Sequence, residues 1–116
     1  MNRSHVLVCA LVSAIIAGCG GPPQVAPANR RLIDGLRTAT SSAQPQWVEE
    51  SAKQLEEAKS KGTVSDQEYA EFEAIITLAR AGKWKEAEAE AIRLGKAQKP
   101  TADEIERLKA RQKPRD

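Results

Sequence analysis

Helix breakers recur at short intervals through most of this chain. Pro45, Gly62, Gly82 and Pro100 divide everything beyond residue 29 into short segments. Proline lacks the amide that a helix interior needs, and glycine readily takes the left-handed conformation that ends a helix. Between the breakers there is room for about four to five turns at 3.6 residues per turn. Within each segment apolar residues recur three and four apart rather than alternating, and long β-branched runs are missing. That periodicity is helical. The chain is therefore expected to be all-α, a small bundle of about four short helices arranged as helical hairpins.

The helices can be placed from their ends. Asn29 is a potential cap for a first helix to about Ala43, with Leu32, Ile33, Leu36 and Ala39 on one face. Pro45 suits the first position of a second helix, to about Lys61, with a stripe of Trp47, Val48, Ser51, Ala52, Leu55 and Ala58. Ser65 and Glu68 form a capping box for a third helix to about Ala81, whose stripe is Tyr69, Phe72, Ile75, Ile76 and Ala79. Lys83 or Trp84 opens a fourth helix to about Leu94, where Ala87 and Ala91 are small enough for close approach to a neighbour. Thr101 and Glu104 make a second capping box for a short fifth helix that frays into a basic tail. The helical domain is expected at 29–110 and a disordered basic tail at 111–116.

The N-terminal region has a different character. Met1 to His5 is weakly basic, Val6 to Ile16 is apolar, and Ala17 and Gly18 are small, the three parts of a secretory signal. An apolar run of about eleven residues is far short of the roughly 20 needed to span a bilayer. Ile16-Ala17-Gly18-Cys19 resembles the lipobox of bacterial lipoproteins: aliphatic, small, glycine or alanine, then cysteine. The resemblance implies a signal peptide over 1–18, cleavage between Gly18 and Cys19, and a diacylglyceryl group and an N-acyl chain on Cys19. An internal disulfide from Cys19 lacks a partner, because Cys9 lies in the segment that is removed. Residues 19–28 then read as a lipidated flexible tether, rich in glycine and proline. Gly20 stands where an aspartate would favour inner-membrane retention in lipoproteins of this kind. The outer membrane's periplasmic face is the expected location in a diderm host, and the cell membrane otherwise.

Two further resemblances fall on the helical part. Ala81-Gly-Lys-Trp-Lys-Glu-Ala87 is similar to the inter-helix turn of a tetratricopeptide repeat, covering about half of one repeat with no second copy visible. Lys61-Gly-Thr-Val-Ser-Asp-Gln-Glu-Tyr69 is similar to a short helical oligomerisation motif found at bacterial protein termini. The overall pattern resembles short lipoproteins of planctomycete-type bacteria, a likeness that carries no function.

Charge is unevenly spread although the net value is only +2. Residues 45–78 hold eight acids against three bases, and residues 79–116 hold eleven bases against seven acids. A dedicated nucleic-acid binder would be strongly basic throughout. The one histidine, His5, lies in the signal region, so beyond it there is neither a Ser-His or Cys-His pair nor a set of zinc ligands. Paired glutamates such as Glu49/Glu50 and Glu86/Glu88/Glu90 read as solvated helix faces. The expectations are a non-enzymatic lipoprotein with no metal, no small-molecule substrate and no nucleic-acid partner. It would meet the membrane through Cys19 and a protein partner through its helices; the alternatives are a structural envelope lipoprotein that self-assembles through the hairpin at 45–81, and an enzyme accessory subunit. Trp47 and Trp84 are the interaction candidates, each either a core anchor or an exposed hot spot.

Overall fold

The computed structural model describes residues 21–112. The lipobox residues Ile16, Ala17, Gly18 and Cys19, and residues 113–116 of the expected tail, lie outside the described residues. Five helices are present among the described residues rather than about four: α1 (Arg30–Ser41), α2 (Pro45–Ser60), α3 (Asp66–Arg80), α4 (Trp84–Lys96) and α5 (Ala102–Gln112). There are no strands among these residues. The first four helices pack in chain order, and α4 closes the ring against α1, its most extensive contact. The fifth stands apart, which is why four helices account for the core and five for the fold.

Each helix contributes its expected stripe to one core. Leu36, Leu55, Phe72, Ile75, Ile76 and Leu94 are almost completely buried, with Ala39, Ala79, Ala87 and Ala91 filling the gaps between helices. The α1–α4 contact depends on small residues. A Cβ at Gly95 would stand 3.4 Å from the Ile33 side chain, and α4 runs through Gly95 to Lys96 rather than weakening there.

The three turns between α1 and α4 use one device. After α2 the Gly62 amide donates to the Lys59 carbonyl and the Thr63 amide to Ala58. After α3 Gly82 and Lys83 repeat the pattern with Ala79 and Leu78, and after α1 Ala43 and Gln44 repeat it with Thr40 and Ala39. This is the Schellman closure, which satisfies the last carbonyls with a residue at positive φ. Gly62 and Gly82 supply φ of 71° and 78° without strain, but at the first turn the residue is Ala43, at φ 50°. A Cβ in that region crowds the following carbonyl.

Residues 23–28 depart from the expected free tether. Val25 is only 2% exposed and belongs to the core. An extended segment beside helices finds no backbone partners, because helix interiors have used theirs. Side chains take that role here. The Val25 amide donates to Gln98 Oε1 (2.6 Å) and the Ala26 amide to Glu68 Oε2 (3.2 Å). Gln98 Nε2 donates to the Pro23 carbonyl (3.0 Å). Gln24 reciprocates, donating to the Ala97 carbonyl (2.6 Å) and accepting from the Lys99 amide (3.0 Å). Pro22, Pro23 and Pro27 restrict φ in advance, so ordering this strap costs less entropy than for most sequences.

Asn29 does not cap α1. Its backbone is already helical, at the end of a 3₁₀ turn (Pro27–Asn29), so its side chain cannot reach back to the α1 amides. Buried, it donates instead to the Thr63 carbonyl (2.8 Å) and to Glu68 Oε2 (3.1 Å). Glu68 is thus doubly used. The capping box is formed, with the Glu68 amide donating to Ser65 Oγ and the Ser65 amide to Glu68 Oε1, both 3.1 Å. The second carboxylate oxygen holds the strap. Burial, with the residue 7% exposed, pushes the Glu68 carboxyl up. The hydrogen bonds from Asn29, Ser65 and Ala26 outweigh this and leave it below the usual carboxylate range.

Two measurements check this account. Ala43→Gly is expected to stabilise the chain by about 0.5–1 kcal/mol in urea unfolding, the gain from relieving αL strain less the extra unfolded-state entropy of glycine. For Glu68, a carboxyl depressed in the folded state stabilises the fold above its unfolded pKa of about 4.3. That contribution is lost as pH falls through the lower folded value. Glu68→Gln is expected to cost about 1–3 kcal/mol at neutral pH, because one amide hydrogen then faces a donor. It is also expected to flatten the fall of the urea midpoint below pH of about 4.3. An unchanged acid limb in the variant would assign the titration to other carboxylates.

A groove between the first two helices as candidate functional site

The two tryptophans occupy different settings. Trp84, at the start of α4, is half-buried and packs against the core near Pro45, Val48 and Ala79. Trp47, in the first turn of α2, is 43% exposed. The stripe reading had grouped Trp47 with Val48, but Val48 alone points inward there. One helical position, about 100° of rotation, separates the two side chains. Trp47 therefore falls at the stripe's edge.

Beside Trp47 runs an open groove of ≈ 620 Å³ between α1 and α2. Arg31, Asp34 and Thr38 line it from α1, and Trp47, Glu50 and Gln54 from α2, both rows at three- and four-residue spacing. Its floor is Gly35 and Ser51, where a Cβ on Gly35 would stand 3.3 Å from Ser51 Oγ. Glycine is the residue that lets the helices meet this closely at the floor while their longer side chains rise on either side. The result is an aromatic face beside mixed charges and neutral hydrogen-bonding groups. Such a surface can clasp a polypeptide or another polar, partly apolar group. It contains no pair of carboxylates in a dry cleft.

The remaining acidic residues have structural occupations or face water. Glu49 and Arg80 form a two-bond ion pair (2.7 and 2.9 Å) joining α2 to α3, and the guanidinium holds the Glu49 carboxyl below its usual range. Tyr69 donates to Glu56, which with burial and the Glu73 charge pushes the phenol up to about 12, and Lys59 Nζ lies 4.0 Å from the centre of the Tyr69 ring. Glu90 pairs with Arg93 at 2.9 Å. Among the described residues no group of three or more histidine, cysteine or carboxylate side chains is placed to hold a metal ion, and no helix is long and apolar enough to cross a membrane.

Sequence reasoning singled out Trp47 but not Arg31, Asp34, Thr38 or Gln54. No local signal marks them, because each sits on the polar face of its own helix and becomes part of a groove only when α1 and α2 pair. The chain matches no protein-family model, no curated protein and no solved structure.

The different settings predict different mutational costs. Trp47→Ala is expected to cost about 1–2 kcal/mol, from the covered part of the ring. Phe72→Ala is expected to cost about 3–5 kcal/mol, since it empties the centre of the core. Urea denaturation of the two variants, with matched m-values, compares them directly.

Proposed function

We propose that this chain is a lipid-anchored protein of the bacterial cell envelope whose helical bundle is a non-enzymatic interaction module, binding a protein partner through the groove at Trp47. The exposure of Trp47 over that groove is the observation that carries the reading. A large aromatic ring is left open to solvent in a chain with only four aromatic residues, while the core beside it is closed by smaller side chains. Exposed tryptophan ringed by polar and charged groups is the composition of an interface hot spot.

The anchor half of the reading is supported by the Ile16–Cys19 lipobox and by an N-terminal strap that seats the bundle close behind it. If Cys19 carries the acyl chains, the folded part begins at Pro23 and leaves little slack. Two or more acyl chains give stable membrane attachment. The two displaced carboxyls, Glu49 and Glu68, are held below their usual range by Arg80 and by the cap and strap donors, and so are occupied in holding the fold.

Self-assembly through the hairpin at residues 45–81 is the competing reading. Against it, Val48, Leu55, Phe72 and Ile76 of that hairpin are consumed in the chain's own core. Light scattering of residues 22–116 is expected to return a folded monomer.

Each half has its own test. Cys19→Ser is expected to abolish acylation, read as the loss of acyl mass from the mature protein, and to release the chain from the membrane fraction. Retention of both would end the lipobox reading. For the groove, a photocrosslinking residue at Thr38 or Gln54 is expected to capture a defined partner in cells, with Trp47→Ala removing the adduct and a crosslinker at Lys85 giving none. Equal capture from all three positions would make the groove no more than ordinary surface.

A further inference from the structure

Among the five helices, α5 has no helix packed against it, and none of its residues is buried. Its polar link to the bundle is the Arg30–Glu104 ion pair at 3.8 Å. A helix of eleven residues without tertiary packing is marginal in water. The sequence is nonetheless built for a helix: the Thr101–Glu104 capping box is formed in both directions at 3.2 Å, with acids in the first turn and bases in the last. The helix is also two-sided. Ile105 and Leu108, 40% and 50% exposed, share one face with Gln112, and Glu104, Lys109 and Arg111 flank it. Asp103, Glu106, Arg107 and Ala110 lie on the other face.

The strap fixes where this helix begins relative to the chain's N-terminal region. Gln24 is hydrogen-bonded to Ala97 and Lys99, immediately before α5. Gln24 is five steps along the chain from Cys19, a reach of at most about 18 Å at 3.6 Å per residue. An α5 of eleven residues is about 16 Å long. A bilayer holding the chain at Cys19 therefore lies no more than about 18 Å from Gln24, a distance comparable to the length of α5.

We propose that α5 is a membrane-surface helix: Ile105 and Leu108 enter the headgroup layer of an anionic bilayer while Lys109 and Arg111 meet its phosphates. This rests on the anchor reading for the position of the bilayer. Three observations select a lipid surface as the occupant. The acids Asp103, Glu104 and Glu106 all lie early in the helix, with Lys109 3.9 Å from Glu106, whereas residues 107–115 carry five bases and no acid, the charge that anionic lipid attracts. The strap brings the start of α5 beside the segment that leads to Cys19. The exposed apolar area is also too small for a second copy, since two partly covered side chains fall far short of the about 800 Å² per partner that a stable dimer buries. A lipid surface needs less, because the acyl chains already supply the attachment and the helix has only to lie down.

Amide hydrogen exchange on vesicles tests this without relying on acylation in the cell. Residues 19–116, which contain the whole described fold, are coupled through the Cys19 thiol to a maleimide lipid. The vesicles are phosphatidylethanolamine with phosphatidylglycerol, or phosphatidylcholine alone. Exchange across residues 102–112 is expected to slow about tenfold or more on the phosphatidylglycerol vesicles relative to the uncoupled chain. Most of that slowing is expected to be lost on phosphatidylcholine, in Leu108→Glu, and in the Lys109→Glu/Arg111→Glu double variant. Unaltered exchange in α1–α4 confirms that these variants keep the bundle, since α5 contributes nothing to the core. Exchange as fast on both vesicles as in free solution would overturn the proposal, and equal slowing on both would overturn its anionic part. Slowing in the uncoupled chain that grows with protein concentration would assign the face to a second copy. Because the coupling is chemical, failure here is separate from failure of the Cys19→Ser test.

Discussion

Glu68 is the point at which the parts of this molecule meet. One of its carboxylate oxygens completes the N-terminal cap of α3, and the other accepts from the Ala26 amide and the Asn29 side chain. A buried carboxylate is costly when it stands alone. Here donors from three places in the chain surround it, so the charge is retained and becomes the reason those places stay together. The cap sets where α3 begins, Asn29 passes the contact on to the α2–α3 turn at Thr63, and the strap brings Val25 into the core. Without this node the Ala26 amide would face the helices unpaired and the Asn29 side chain would lose one of its two acceptors.

The same logic explains the two glutamines. Gln24 and Gln98 exchange their side-chain amides with the backbone of each other's segment. Each reproduces what a neighbouring β-strand would have offered. A glycine- and proline-rich stretch can thus be held against an all-helical body, provided that a few amide and carboxylate side chains are aimed at it. The consequence for function is mechanical. If the chain is anchored at Cys19, the bundle is seated at the bilayer by a short leader rather than swinging on a long one, and the Trp47 groove and α5 are presented from a fixed frame.

Much of the helical layout was legible from neighbouring residues. Gly62 and Gly82 end helices, Pro45 begins one, and both capping boxes form as read, because all of these depend on hydrogen bonds that span no more than five residues. Ala43 was read as the end of the first helix but not as the positive-φ residue that closes the turn, since alanine is a strong helix former and its positive φ is imposed by the chain turning back. Asn29 was read as a local cap and is a long-range donor, because its backbone had already entered a 3₁₀ turn. The groove was half legible: tryptophan at Trp47 is conspicuous, but Arg31, Asp34 and Gln54 are ordinary surface residues until their helices pair.

Sequence by itself determined that this chain forms short helices with one apolar stripe each, and where most of them start and stop. Periodicity, caps and glycine turns are encoded within a turn or two of where they act. Tertiary structure decided which surfaces remain free. What Glu68 holds with its second oxygen and whether Val25 is tether or core depend on segments 39 to 75 residues apart, and whether Trp47 is covered and why α5 stands apart depend on how whole helices pair. No local pattern carries such distances. They follow from how four stripes of limited size close on one another, and from what is left outside when they have done so.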